Sequence, residues 1–148
     1  SIRKGPWEIS VKLDGRPLTG EHIPAFNVGQ RYKAMPLGFE YDVDTKEVRE
    51  TYETYYMHVD EGFYGCGEKF TEFNKRGQVV EIWQKDALST NSDAAYKGMP
   101  YFMSSYGYAM LVNTFTKTSF DMGAFSEVSY TMFSGDAYID YYVFCNRS

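Results

Sequence analysis

Phe63 to Asn113 reads FYGCGEKFTEFNKRGQVVEIWQKDALSTNSDAAYKGMPYFMSSYGYAMLVN. Gln78 to Trp83 concentrates Val79, Val80, Ile82 and Trp83, residue types that fit a pleated, half-buried surface. Tyr101-Phe102-Met103 and Tyr108 to Val112 flank Ser104-Ser105-Tyr106-Gly107, two extended runs on either side of turn chemistry. No segment repeats its apolar residues at the three-and-four spacing of a helix. The stretch therefore predicts a strand, a polar exposed loop over Asp86 to Ala95, and a hairpin.

Outward from it the same pattern holds. Trp7 to Leu13 alternates apolar and polar without a break, and Asp14-Gly15 turns it into Arg16-Pro17-Leu18 as a hairpin. Prolines and glycines interrupt any period from Thr19 to Leu37, which predicts loop with one short edge strand near Phe26 to Val28. Glu50 to Val59 is a Tyr- and Thr-rich strand, and Asp60-Glu61-Gly62 turns it into Phe63-Tyr64-Gly65. Ser119 to Met122, Val128 to Phe133 and Tyr138 to Phe144 are further extended runs, the last two joined through Gly135-Asp136. Many short strands separated by turn signals predict an all-β antiparallel sandwich.

Composition bounds the function. The 148 residues make one domain, with 14 Tyr and 11 Phe raising the aromatic share to 18% in favour of sheet. A net charge of -5 leaves no basic face for phosphates, so a nucleic-acid partner is not expected, whereas a neutral sugar fits. No apolar run approaches about 18 residues and no charged-then-apolar leader opens the chain, so neither a membrane span nor a signal peptide is read. Cys66 and Cys145 have neither metal spacing nor a disulfide framework; two reduced thiols, buried as small hydrophobes in a cytoplasmic protein, are expected.

Four motifs in the central stretch are similar in order and spacing to glycoside hydrolase family 31. The family patterns read approximately YGLGERF, GQxVExWNxD, AYKxIPFY and GYGxxVN. Here they stand as YGCGEKF, GQVVEIWQKD, AYKGMPYF and GYAMLVN, beginning at Tyr64, Gly77, Ala95 and Gly107. The resemblance implies the galactose-mutarotase-like, supersandwich type of β-sandwich that precedes the catalytic (β/α)8 barrel of a retaining α-glycosidase. On that reading residues 1–148 are one N-terminal domain excised from a larger enzyme, with both ends as boundaries.

The resemblance also implies roles. The Asp of the WNxD motif lies on a loop over the barrel mouth and contacts the sugar, which makes Asp86 the first candidate for substrate binding. A carboxylate there can accept two charge-assisted bonds from adjacent hydroxyls; its structural alternative is an Asx-turn. Gln84 replaces the usual Asn, and Ala87-Leu88 the usual glycine pair. Trp83 and Tyr96 are candidates for stacking on a sugar ring, against a core role for a strand-end Trp. Glu68 reads as part of a structural turn with Gly65 and Gly67, where Cys66 and Lys69 replace Leu and Arg. Asn74-Lys75-Arg76-Gly77 reads as a solvated basic turn.

Retaining hydrolysis needs two carboxylates about 5 to 5.5 Å apart. The family supplies both from the barrel, so no catalytic residue is assigned here and the domain alone is expected to be inert. The mechanism requires no metal or cofactor, and no ligand cluster suggests one. The likeness to galactose mutarotase raises His22 and His58 as acid-base groups for sugar ring opening, yet no Asp or Glu stands at a suggestive spacing from either. The expected partners are an α-linked xyloside or glucoside and the barrel of the same chain, with a homo-oligomer left open. A free-standing carbohydrate-binding sandwich, held to sugar by aromatic rings, is the alternative.

Overall fold

A computed structural model describes residues 9–22, 36–67, 72–83 and 98–145. Among the described residues eleven strands run in chain order: β1 Ser10–Leu13, β2 Arg16–Gly20, β3 Leu37–Tyr41, β4 Val48–Tyr56, β5 Phe63–Gly65 and β6 Val79–Ile82. They continue as β7 Tyr101–Ser104, β8 Tyr108–Val112, β9 Thr118–Asp121, β10 Ser129–Ser134 and β11 Tyr141–Cys145. No helix occurs among the described residues. Among the described residues all pairings are antiparallel. A five-stranded sheet, β3-β4-β10-β9-β6, packs on a four-stranded sheet, β11-β8-β7-β5, and the β1-β2 hairpin forms a small third sheet.

Period-2 alternation builds the core between the two large sheets. β6 buries Val80 and Ile82 and leaves Val79 and Glu81 outside. β10 sends Tyr130 and Met132 inward, and from the facing sheet come Phe63, Phe102, Tyr108, Met110 and Val112. Phe102 is edge-on to Phe63, Tyr108, Phe120 and Tyr130, with ring centroids 5.4 to 6.5 Å apart. Such edge-to-face contacts fix the separation of the two layers.

The expected hairpins are present: Asp14 (φ 49°) and Gly15 close β1-β2, and residues 105–107 close β7-β8. β3 begins at Leu37, the last residue of the stretch expected to be mostly loop. It is held by pairing with β4, and at Gly38 the Tyr52 ring lies over the backbone. The edge strand expected near Phe26 to Val28 falls outside the described residues. β10 and β11, consecutive in sequence, lie in different sheets, so Gly135-Asp136 begins a crossing between layers.

Candidate functional site

The loop that carries Asp86 and Tyr96 leaves the five-stranded sheet at Trp83 and returns into β7. Asp86 and Tyr96 themselves lie outside the described residues. Trp83, one residue past β6, is 53% exposed, so the core role weighed for a strand-end Trp does not hold. The returning chain passes close to the end of β6: a Cβ on Gly98 would stand 2.9 Å from Ile82 Cγ2, so any larger residue there would force Ile82 to shift.

Register brings two further loops to the same end. Ile82 is opposite Thr118, Thr118 is opposite Ser134, and Val112 is opposite Tyr141. Residues 113–117 and 135–140 therefore emerge beside Trp83, and they brace one another. Asn113 donates its backbone N–H to the Asp140 carbonyl and its Nδ2 to the Asp140 carboxylate, both at 2.8 Å. Thr114 Oγ1 donates to the Asp136 carboxylate, and Gly135 N–H donates to the Lys117 carbonyl at 2.9 Å. Phe115 stands at the tip of this braced turn, 99% exposed. Lys117 pairs with Glu81 at 2.8 Å on the rim.

The buried carboxyls are elsewhere. Glu61 is fully buried and accepts from Ser104 Oγ, from Tyr108 OH at 2.6 Å and from the His58 backbone N–H at 2.9 Å. Glu53, 1% exposed, accepts from Tyr55 OH at 2.7 Å and Tyr141 OH at 3.1 Å. Burial pushes Glu53 up to about 7, with the two phenol bonds pulling the other way. Burial likewise raises Tyr55, Tyr108, Tyr130 and Tyr141. These groups spend their bonds on one another across the two sheets, so they hold the core and do not face a substrate. The signal for Glu53 was in the sequence: alternation puts it on one face with Tyr55 and Met57, both buried.

The histidines share one aromatic neighbour rather than forming an acid-base pair. His22 and His58 both stand edge-on to Tyr56, at 5.9 and 4.9 Å. His58 also stacks on Tyr106 at 4.0 Å, with Nε2 3.2 Å from the Leu18 carbonyl oxygen, and the adjacent Asp60 carboxylate is taken by Tyr106 OH at 2.6 Å. Burial lowers His22.

The basic turn is solvated only at Asn74 and Gly77; its two cations are drawn in. Lys75 is 4% exposed, and Arg76 donates to the carbonyls of His58 (2.9 Å), Glu61 (2.8 Å) and Glu127 (3.2 Å). Asn74 Oδ1 accepts from the Phe63 and Arg76 backbone N–H groups, each at 3.0 Å. The glycines of the YGCG turn have the special backbone expected, φ 116° at Gly65 and 81° at Gly67, and Cys66 between them has φ 67°. Glu68 and Lys69 lie outside the described residues. Neither cysteine is in a disulfide; Cys66 is buried, whereas Cys145 on the edge strand β11 is exposed, contrary to the expectation of two buried thiols.

The family model of the glycosyl hydrolase 31 N-terminal galactose mutarotase-like domain matches residues 1–121. The chain belongs to this family. The family 31 domain is 42% identical over 101 residues to the alpha-xylosidase XylQ of Lactiplantibacillus pentosus, covering 68% of this chain and 13% of that protein. It is 44% identical over 66 residues to an alpha-xylosidase of Emericella nidulans, covering 45% of this chain and 8% of the relative. Among solved structures it is similar to the cycloalternan-forming enzyme from Listeria monocytogenes in complex with a pentasaccharide substrate. There the identity is 27% and the TM-score 0.77, over 99% of this chain and 14% of the other. The family 31 domain thus spans a small fraction of the proteins it matches, and the antiparallel sandwich read from the sequence is the fold they share.

Proposed function

We propose that this domain is the N-terminal part of a longer retaining α-glycosidase that acts on α-xylosides, and that its 84–97 loop forms one wall of the sugar site. The observation that supports this most is the family match over residues 1–121, which contains the whole loop, together with two α-xylosidases among the relatives. Asp86 binds sugar hydroxyls as a charged acceptor, and Trp83 and Tyr96 offer aromatic faces beside it. The braced rim of residues 113–117 and 135–140 gives the loop a firm base, as precise positioning of a sugar requires. Proton transfer and nucleophilic attack fall to two carboxylates in the remainder of the enzyme, so this chain by itself is inactive. Neither Cys66 nor Cys145 is in a disulfide, as suits a reducing compartment, and we assign the enzyme to the cytoplasm.

The test is release of nitrophenol from the nitrophenyl α-xyloside and α-glucoside by the longer protein and its Asp86→Ala variant. The expected result is faster hydrolysis of the xyloside and a drop in kcat/KM of about 100-fold in the variant, the worth of a charged bond to the transition state. Unchanged kinetics in the variant would return Asp86 to a turn-holding role. Absence of hydrolysis together with tight sugar binding that survives Asp86→Asn would favour a carbohydrate-binding module, for which Phe115 and Trp83 supply exposed rings at one end of the sandwich.

A further inference from the structure

Trp83, Tyr138 and Phe115 stand 53%, 64% and 99% exposed at the end of the sandwich from which the 84–97 loop leaves. Single exposed apolar side chains are common on folded surfaces and by themselves point to nothing. Here, however, the backbone beneath Tyr138 and Phe115 is fastened on both sides of each ring. Tyr138 is midway between Asp136 and Asp140. The Asp136 carboxylate accepts from Thr114 Oγ1 and its carbonyl from Thr51 Oγ1 at 2.7 Å, while Asp140 accepts twice from Asn113. Phe115 follows Thr114 directly. Thr114 Oγ1 also accepts the Thr116 backbone N–H at 3.0 Å, and the two threonine hydroxyls are 2.9 Å apart. The two ring-bearing spans are thus tied to each other and to β4, and none of these bonds uses either ring. A backbone already ordered around exposed aromatic faces has little freedom left to lose when a ligand arrives.

We infer that Phe115 and Tyr138 receive the leaving group of the substrate, and that this leaving group is itself a sugar. The inference rests on the proposed reading of the chain as the N-terminal part of an enzyme acting on α-xylosides. In an α-xyloside the molecule continues beyond the cleaved xylose through the group on C1, so rings beside the base of the loop that carries Asp86 are placed to meet that group. Register sets them there: Ile82 is opposite Thr118, Trp83 and Lys117 leave the ladder side by side, and Phe115 is two residues further along the turn. The chemistry on offer suits a pyranose. The rings give faces for its C–H surfaces, and the exposed Asn113-Asp140 pair, joined by one Nδ2–carboxylate bond, keeps the amide oxygen and the second carboxylate oxygen to accept from hydroxyls. Lys117, the cation of this turn, is paired with Glu81, so the turn offers no counter-charge to an anionic leaving group.

The test compares, in the longer protein, kcat/KM for α-xylosyl fluoride, whose leaving group is a single atom, with kcat/KM for a disaccharide of α-linked xylose on glucose. The readout is the ratio of the two, the preference for a sugar leaving group. Phe115→Ala and Tyr138→Ala should each lower that preference about tenfold, the worth of one aromatic face. Phe115→Trp and Tyr138→Phe should restore most of it, because stacking needs a ring and not its hydroxyl. A preference unchanged in both alanine variants would overturn the inference, and equal slowing on both substrates would assign the rings to contact with other protein. Calorimetric titration of the disaccharide into the same protein separates the two readings. Binding without hydrolysis, weakened about tenfold by Phe115→Ala, keeps the sugar-receiving rings and removes the glycosidase assignment. Hydrolysis with an unchanged preference does the reverse, and absence of both hydrolysis and binding removes both.

Discussion

Glu53 is a carboxyl inside an aromatic core, and its environment gives the domain a pH dependence that can be derived with its sign. Burial lifts its folded value to about 7 from an ordinary 4.5. Below about pH 4.5 the group is neutral in both folded and unfolded states, and the fold bears no penalty. As pH rises the unfolded chain ionises first, so stability falls through the interval from 4.5 and the loss is complete once pH passes about 7. The full loss is about 3 kcal/mol, since every tenfold change in proton affinity between the two states corresponds to about 1.4 kcal/mol and the group is almost wholly buried. Glu53→Gln keeps an acceptor for Tyr55 and Tyr141 while removing the ionisation. Urea melts at pH 5 and pH 8 should show the parent weakening more than the variant; equal weakening would mean that burial does not raise Glu53 in the folded state.

At the scale of elements, what the sequence revealed was local. Asp14-Gly15 and the Ser105 to Gly107 turn close hairpins between adjacent strands, and the turn chemistry needed for that lies within a few residues. Residues 37–41 gave no comparable sign, because LGFEY is short and punctuated and becomes a strand only through its pairing with β4. Arg76 shows the same limit for a side chain. Its three acceptors come from residues 58, 61 and 127, and no local pattern indicates that these carbonyls converge. One planar fork thus ties the β4-β5 and β9-β10 connections together, a task its five donors suit and a lysine ammonium does not. Arg76→Ala should lower unfolding free energy by about 2 kcal/mol, with Arg76→Lys recovering less than half. A lysine variant that melts like the parent would show that charge near the turn suffices.

For the whole molecule, the fold class was legible because short extended runs separated by turn signals recur along the chain, whereas the layer order was not. β4 pairs with β10 across about eighty residues, Thr51 opposite Ser134, and only the shared core selects that partner. The candidate site was legible as motif and position: Trp83 sits where the strand opens into the loop, and the rim around it is braced. Its exposure was not, because a Trp at a strand end satisfies core and surface patterns equally. What holds the two sheets in register is best tested at Phe102. Its ring meets Phe63, Tyr108, Phe120 and Tyr130, which come from both layers, and it is fully buried. Phe102→Ala removes the transfer energy of the ring and leaves a cavity that four aromatic neighbours cannot close, a loss of about 3 to 5 kcal/mol. Total stability of a domain is about 5 to 15 kcal/mol, so the variant should melt at least about 10 °C lower by calorimetry. Phe102→Leu, which refills part of the cavity, should recover about half of that difference. A fall of only one or two degrees in the alanine variant would mean that the layers are not joined through this ring, and the edge-to-face cluster would lose its standing as the contact that aligns the two sheets.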